Sequence, residues 1–245
     1  MRTSTKILTI TLAMIVICLA WYDLSLKAEY RKGDYTNPYR DFEQLNYRDF
    51  DEIELDASTA VGAIIVQGPY KILVNPRAHD FMHIDKQGRH LVISAAFRDH
   101  YQSFTSDYMV YISCPKLSLL KTDSWYTAGG TRVTDTVAHD LRWKPTLLKG
   151  FSLDSLNLQA DHASNLVLED NKINNLAGII GQGRNSSPAL TIAGNNQFTK
   201  GDLSIQNKGQ LIVKGAGPGN LNYHLADSAT LMVNGASVKH LLNLK

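Results

Sequence analysis

Asp161-His162, Asp170, Arg184, His224 and Asp227 are the side chains best suited to acid–base chemistry. Carboxylates and imidazoles move protons at reacting sugars, as in extracellular polysaccharide lyases and hydrolases. His162 and His224 each fall in a polar link after an apolar-x-apolar pair, so both are expected on one side of the fold. The same positions also suit solvated corner residues. No acidic run offers the six or more oxygens of a calcium cage. His79-x-x-x-His83 has the spacing of a helical metal pair, but this stretch reads as a loop entering a strand. Extended chain would hold the two rings about 13 Å apart. Gly178-Ile-Ile-Gly181-Gln-Gly183 is glycine-rich, yet no Lys-Ser/Thr follows and no helix opens to present amides to a phosphate. The expectation is therefore no catalytic residue, no metal and no cofactor. Binding is the alternative use of these side chains. Trp125, Tyr126 and Trp143, with Tyr101 and Phe104, fall in polar, turn-like segments where rings stack on sugars, anchor a partner or cap a sheet end. Together with His162 and His224 they form the candidate binding set.

The elements that must position these residues read as β. From residue 50, Ile53-Glu-Leu55 alternates, and Gly62–Val66 and Ile72–Val74 flank the turn Gly68-Pro69. Phe81–Ile84 and Leu91–Ser94 flank Lys86-Gln-Gly-Arg89, the signature of a hairpin. Tyr108–Ser113 alternates and stops at Pro115. Near residue 150 the composition shifts. Of 21 aromatic residues only Phe151, Phe198 and Tyr223 follow, while asparagine and glycine become frequent. Apolar-x-apolar pairs begin at Leu156, Leu166, Leu190, Leu203, Leu211, Leu221 and Leu231, with weaker members at Leu176 and Leu241. A step near ten fits one short strand and one corner, so two steps make one coil. Alternate strand residues share a face, which turns each pair inward. Stacked coils bury such pairs in a continuous column. Asparagine and glycine suit the corners, where left-handed backbone is needed. The expected fold is all-β, a right-handed β-helix or solenoid. A β-sandwich, which also spaces short strands 8–12 residues apart, is the rival.

Residues 7–22 carry no charge, with Arg2 and Lys6 before them and Asp23 after. This is a transmembrane or signal helix, either a cleavable export signal or an uncleaved signal-anchor. Trp21 and Tyr22 suit the membrane interface, and cleavage after Ala20 is the alternative to anchoring. The expected organisation is an anchor at 1–22, a juxtamembrane stalk at 23–47 with a short helical turn before Gly33, and a head at 48–245, aromatic-rich over 48–150 and repetitive over 151–245. The two cysteines, Cys18 and Cys114, cannot plausibly pair, and Cys114 reads as an inert buried thiol. A formal net charge of +2 gives no basic face for nucleic acid.

The segments Phe50-Asp-Glu-Ile-Glu-Leu-Asp-Ala-Ser through Val66-Gln-Gly-Pro-Tyr, Gly88-Arg-His-Leu-Val-Ile-Ser and Val110-Tyr-Ile-Ser-Cys-Pro-Lys-Leu-Ser-Leu-Leu, followed by the Leu-x-Leu repeats, resemble the head GIN domain family. These are bacterial envelope proteins, common in Bacteroidetes, described as autotransporter adhesin heads. The likeness spans about residues 48–240. It implies a β-helical fold and an exported location, and no established activity. Asn185-Ser-Ser-Pro188 departs from the pattern, lengthening one coil, and is expected to project as a loop.

The function expected is thus a non-catalytic adhesion or surface-binding head. It would be tethered to the inner membrane with its head in the periplasm, or secreted if the signal is cleaved. Its partners would be the membrane and a glycan or envelope protein. A β-helical lyase or hydrolase and a self-assembling scaffold are the alternatives.

Overall fold

The computed structural model describes residues 3–33, 36–100, 108–136, 145–215, 219–235 and 238. The chain divides into two units, Met1–Phe42 and Glu43–Lys245.

The first unit is dominated by one helix, α1 (Thr3–Lys32). Thirty residues make roughly 45 Å of helix, longer than a hydrocarbon core of about 30 Å. It is long and apolar enough to cross a membrane. The helix runs unbroken past Tyr22, so the first ten residues of the expected stalk are helical. Ser25-Leu-Lys-Ala-Glu-Tyr-Arg-Lys holds good helix formers and no breaker before Gly33. Gly33 ends it in a left-handed conformation (φ 73°), its N–H returning to the Tyr30 carbonyl at 3.2 Å.

The second unit is almost wholly β. Its first part holds β1 (Glu43–Leu45), β2 (Glu52–Leu55), β3 (Ala63–Gln67), β4 (Lys71–Val74), β5 (Met82–Gln87), β6 (His90–Phe97), β7 (Val110–Cys114), β8 (Leu119–Thr122), β9 (Trp125–Ala128) and β10 (Thr131–Thr134). Its second part holds β11 (Thr146–Lys149), β12 (Ser152–Ala160), β13 (Asn165–Glu169), β14 (Lys172–Ile180), β15 (Ala189–Ala193), β16 (Gln197–Ile205), β17 (Gln210–Lys214), β18 (Gly219–Leu225) and β19 (Thr230–Asn234).

These strands form two large sheets. One runs β1-β4-β7-β3-β11-β13-β15-β17-β19 and the other β10-β9-β6-β2-β8-β12-β14-β16-β18, with β5 added on β6. From β11 onward successive strands alternate strictly between the sheets, and every pairing is parallel. That is not the antiparallel pairing of an immunoglobulin-type sandwich. Thr146 pairs with Leu166, while Asn165 pairs with Ala189 and Ala189 with Gln210. The longer second step contains the Asn185–Pro188 segment. It is absorbed outside the strands and both flanking pairings keep their register, but it does not project: Ser186, Ser187 and Pro188 are buried, with the Ser186 hydroxyl on the Asp161 carboxylate.

The apolar pairs face inward. Leu156, Leu158, Leu166, Leu168, Leu190, Ile192, Leu203, Ile205 and Leu211 are each at most 2% exposed. Burying each such side chain contributes about 1.5–3 kcal/mol. Leu241 lies outside the described residues. The first part fills its interior with rings instead, Phe81 stacked on Phe97 with centroids 4.8 Å apart and Phe50 against Tyr70 at 5.1 Å.

The first part departs from simple stacking order. β3 and β4, which flank Gly68-Pro69, do not pair with each other. β7 lies between them, parallel to β3 and antiparallel to β4. β5 and β6 form the expected hairpin, but Lys86 and Gln87 belong to β5, so Gln87 pairs with His90 across a turn of two residues rather than four, with Gly88 at φ 63°.

Both sets of corners in the second part use left-handed residues. Gly150, Asp170, Gly194, Gly215 and Gly235 follow the strands of one sheet, all with positive φ. His162, Gly181 and Asn207 do the same after strands of the other. Buried asparagines stack beside the first set. Asn171 accepts from the Phe151 N–H and donates to the Leu148 carbonyl, both at 3.0 Å. Asn196 repeats the arrangement one strand further, donating to the Leu168 carbonyl at 2.9 Å. The two side chains are linked to each other at 3.0 Å.

Candidate functional site

The richest polar cluster sits where β2, β8 and β12 leave the second sheet. Backbone hydrogen bonds from Asp123 N–H to the Leu55 carbonyl (2.8 Å) and from Asp161 N–H to the Thr122 carbonyl (2.9 Å) put Asp56, Asp123 and Asp161 on successive strands. Adjacent strands lie about 4.8 Å apart, so three carboxyl groups are stacked in a row. Each is neutralised differently.

Asp161 is saturated. Its carboxylate accepts the Gly183 N–H at 2.8 and 2.9 Å, the His162 N–H at 2.9 Å and the Ser186 hydroxyl. It anchors the long coil against the corner. Asp123 takes the Ser124 N–H at 2.6 Å and lies 2.6 Å from His162 Nδ1. His162 holds φ 47°, the left-handed conformation that aims its ring back along the row. Both partners are largely buried, with side chains 21% and 13% exposed.

Asp56 is 5% exposed. Burial, then the neighbouring Glu54, push its carboxyl up to about 6. Glu54 contacts Lys121 Nζ, and His90 Nε2 lies 3.3 Å from it without the alignment of a hydrogen bond. The unfolded chain ionises Asp56 near pH 4, whereas the folded chain holds the proton to about pH 6. Stability therefore falls as pH rises from about 4 to 6, and the full penalty, about 2–3 kcal/mol, persists above that. Asp56→Asn keeps a donor toward Glu54 and removes the penalty. We expect it to raise the melting temperature at pH 7.5 by about 5 °C, to change it little at pH 4, and to flatten the profile between, as read by thermal denaturation.

An aspartate-oriented imidazole becomes catalytic when a nucleophile or substrate proton meets it. The nearby serine hydroxyls are committed elsewhere. Ser164 Oγ donates to the Asp161 carbonyl at 2.7 Å, and Ser58 Oγ and Ser124 Oγ pair with each other at 3.0 Å. The row therefore works chiefly as a corner staple with one partly exposed imidazole.

The other sequence candidates are dispersed. His224 lies on β18, 77% exposed and 3.7 Å from Asp202. Two strands, β14 and β16, separate β18 from β12, so the two histidines are not brought together. Asp170 is at the opposite corners, where Asn195 N–H donates to it at 3.0 Å and Lys149 approaches at 3.5 Å. Arg184 and Asp227 are exposed corner residues. Trp125 is half-buried, with the Arg132 guanidinium 4.2 Å above its ring. Tyr126 is buried, its ring edge-on to Phe97 at 5.6 Å, and so belongs to the core. Trp143, Tyr101 and Phe104 lie outside the described residues.

His79 and His83 are not on a helix; His79 Nε2 lies 3.2 Å from Glu43. Among the described residues no group of three His, Cys, Asp or Glu side chains is arranged to hold a metal. Gly178 lies within β14 and Gly181 at a corner, as strand and turn rather than a phosphate loop. Cys114 is fully buried and burial raises its thiol to about 12. Sequence reasoning missed Asp123, Glu54, Asp56 and Lys121. The signal was the alternation Glu54-x-Asp56 and Lys121-x-Asp123, which sets each pair on one face of its strand.

Comparison with known proteins finds no matching family model and no similar curated protein. Among solved structures, a "putative adhesin" from Bacteroides fragilis superposes with a TM-score of 0.42 at 12% identity, covering 79% of this chain and 96% of that one. A second "putative adhesin", from Parabacteroides distasonis, gives 0.41 at 15% identity with the same coverage. A "putative lipid binding protein" from the same species gives 0.34 at 11% identity, covering 79% and 94%.

Proposed function

We propose that this chain is a membrane-tethered, non-catalytic surface-binding head built as a right-handed β-solenoid. The strict alternation of parallel strands between two sheets supports the solenoid. Its hand follows from the near-universal right-handedness of parallel crossovers. α1 is the uncleaved anchor, running as one helix through Cys18-Leu19-Ala20, with the β unit in the periplasm as the functional head over 48–245.

The observation that carries the binding role is the outer face of the second sheet. Asn157, Ala177, Asp202 and Asn222 stand in register on four consecutive strands, as do Gln159, Ile179, Ser204 and His224. Parallel pairing holds these rows flat and rigid. Such a ladder presents three amides, a carboxylate, a hydroxyl and an imidazole beside Ala177 and Ile179, suited to an extended glycan or envelope protein. Of the binding candidates among the described residues, Trp125 and His162 are partly exposed and His224 is exposed.

The test is retention of the full chain, in nanodiscs, on purified envelope fractions and glycan arrays. Binding is expected, and the double variant Asn222→Ala/His224→Ala, altering only exposed side chains, should weaken it about tenfold. Retention on none of these surfaces would overturn the reading.

A further inference from the structure

The two sheets finish differently at their two extremities. At one, β1 lies antiparallel on β4 and β10 antiparallel on β9, and both strands are short and charged, carrying Glu43 and Arg132. Short charged strands blunt a sheet edge. At the other, β19 and β18 finish the two strand orders, and among the described residues neither has a further strand beside it. Neither strand holds a Lys, Arg, Asp or Glu.

The backbone of these last strands is half used. Thr230 N–H donates to the Gly209 carbonyl at 2.9 Å, and Ala226 N–H to the Ile205 carbonyl at 2.8 Å. N–H groups alternate sides along a strand, so those of Leu231, Val233, Tyr223 and Leu225 turn toward the open edge. The interior is open there as well. Ala160, Ile180, Ile205 and Leu225 share one inward row across β12, β14, β16 and β18. The first three are at most 2% exposed, whereas Leu225 is 41% exposed. Leu221, Tyr223, Leu231 and Val233 take the other inward positions of the last two strands and are only half-buried.

An occupant of this end has to supply two strand edges at once, one for each sheet, about 10 Å apart, with apolar side chains between them. A single extended peptide satisfies one edge and leaves the other. Residues 236–245 amount to half of the twenty-residue step from Leu211 to its partner Leu231, enough for one sheet and not for both. The same end of a second copy presents both edges at the matching separation, with no charge on either strand to set like against like. The opposite extremity, antiparallel and charged, does not match it. Like end therefore meets like end, and such a contact closes at two copies.

We infer that the β18/β19 end pairs with the same end of a second copy, edge to edge in both sheets, covering Leu225 of each. The inference goes beyond the surface-binding reading and leaves the ladder face outward.

The test is sedimentation velocity of the full chain in detergent over a wide range of concentration. A reversible monomer–dimer equilibrium is expected, and the amides of Tyr223, Leu225, Leu231 and Val233 should exchange more slowly as the dimer forms. Leu225 and Met232 are exposed in the single chain, at 41% and 37%. The double variant Leu225→Lys/Met232→Lys should weaken pairing at least about tenfold, since like charges then face each other. Leu225→Glu/Met232→Glu should do the same, and mixing the two variants should restore a dimer, which a damaged edge could not do. A monomer at every concentration, a dimer indifferent to both double variants, failure of the mixture to pair, or growth beyond two copies would overturn the inference. Envelope retention by the ladder is measured separately and does not depend on the outcome.

Discussion

Asn171→Ala is expected to lower the melting temperature by about 10 °C, the larger of two effects concentrated in the corners. Asn171 is 1% exposed and serves three groups at once. Its carbonyl accepts the Phe151 N–H, and its amide donates to the Leu148 carbonyl and to Asn196 Oδ1. Alanine leaves a buried N–H and a buried carbonyl without that partner and loosens Asn196. Each orphaned group costs about 1–3 kcal/mol, so about 3–5 kcal/mol is lost in all. One kcal/mol is worth roughly 2–4 °C in a chain of this size. Asn171→Asp is the sharper probe, because it keeps shape and acceptor while replacing the donor by a buried charge. It should be at least as damaging at pH 7 and partly relieved at pH 4. A shift below about 3 °C for Asn171→Ala would show that the asparagine stack is not a principal corner support.

Gly181→Val is the second. Gly181 has φ 88°, and a Cβ there would sit 2.5 Å from the Gln206 carbonyl oxygen and 3.3 Å from its carbon. The left-handed conformation alone costs about 1–2 kcal/mol for a side-chain-bearing residue. The clash adds more, because the obstacle is backbone held by the Gln206 N–H to Ile180 carbonyl bond at 2.8 Å. Adjacent turns must part, and a loss of about 4 kcal/mol is expected. In the proposed solenoid, contacts pass only between neighbouring turns. Hydrogen exchange should therefore quicken first in β14, β16 and β18 while β2 and β3 stay protected. Gly150→Ala is the control, since φ is 73° there but nothing lies within 4 Å of the new atom. Equal losses at the two sites would place the cost in conformation rather than in packing.

Much of this architecture was legible in the residues. Leu156-x-Leu158 and its successors announce an inward face because alternation in a strand is a fact of local geometry. The asparagines and glycines between them announce corners for the same local reason. The scarcity of rings after Phe151 agrees with an interior where Gly178 is wedged between Leu158 and Leu203, a side-chain carbon of Leu203 lying 2.8 Å from where its Cβ would be. Partner choice was not legible. Alternation tells which way Ile72 points, and nothing local tells that β7 rather than β3 lies beside it. Tyr126 lies three residues before Gly129, the first of the turn glycines Gly129 and Gly130, and its neighbourhood looked like a turn. Only the long-range approach of Phe97 makes it core. Asp123 escaped notice because its partner, His162, is 39 residues away. Asp161-His162 was found as a motif, yet Asp161 binds the coil and not the imidazole's reactive side. A short helical turn before Gly33 was legible, and charge hid only its continuity with α1, although charge on a good helix former does not stop a helix.

The coil carrying Asn185–Pro188 is longer than its neighbours, yet the strands on either side of it remain in step. The extra residues lie between strands and are packed down, Ser186, Ser187 and Pro188 all being buried. In the proposed solenoid, gain or loss of a complete turn would change the length of the β unit by roughly 4.8 Å while leaving the remaining turns as they were. A head built that way can be lengthened or shortened without redesign of its interior.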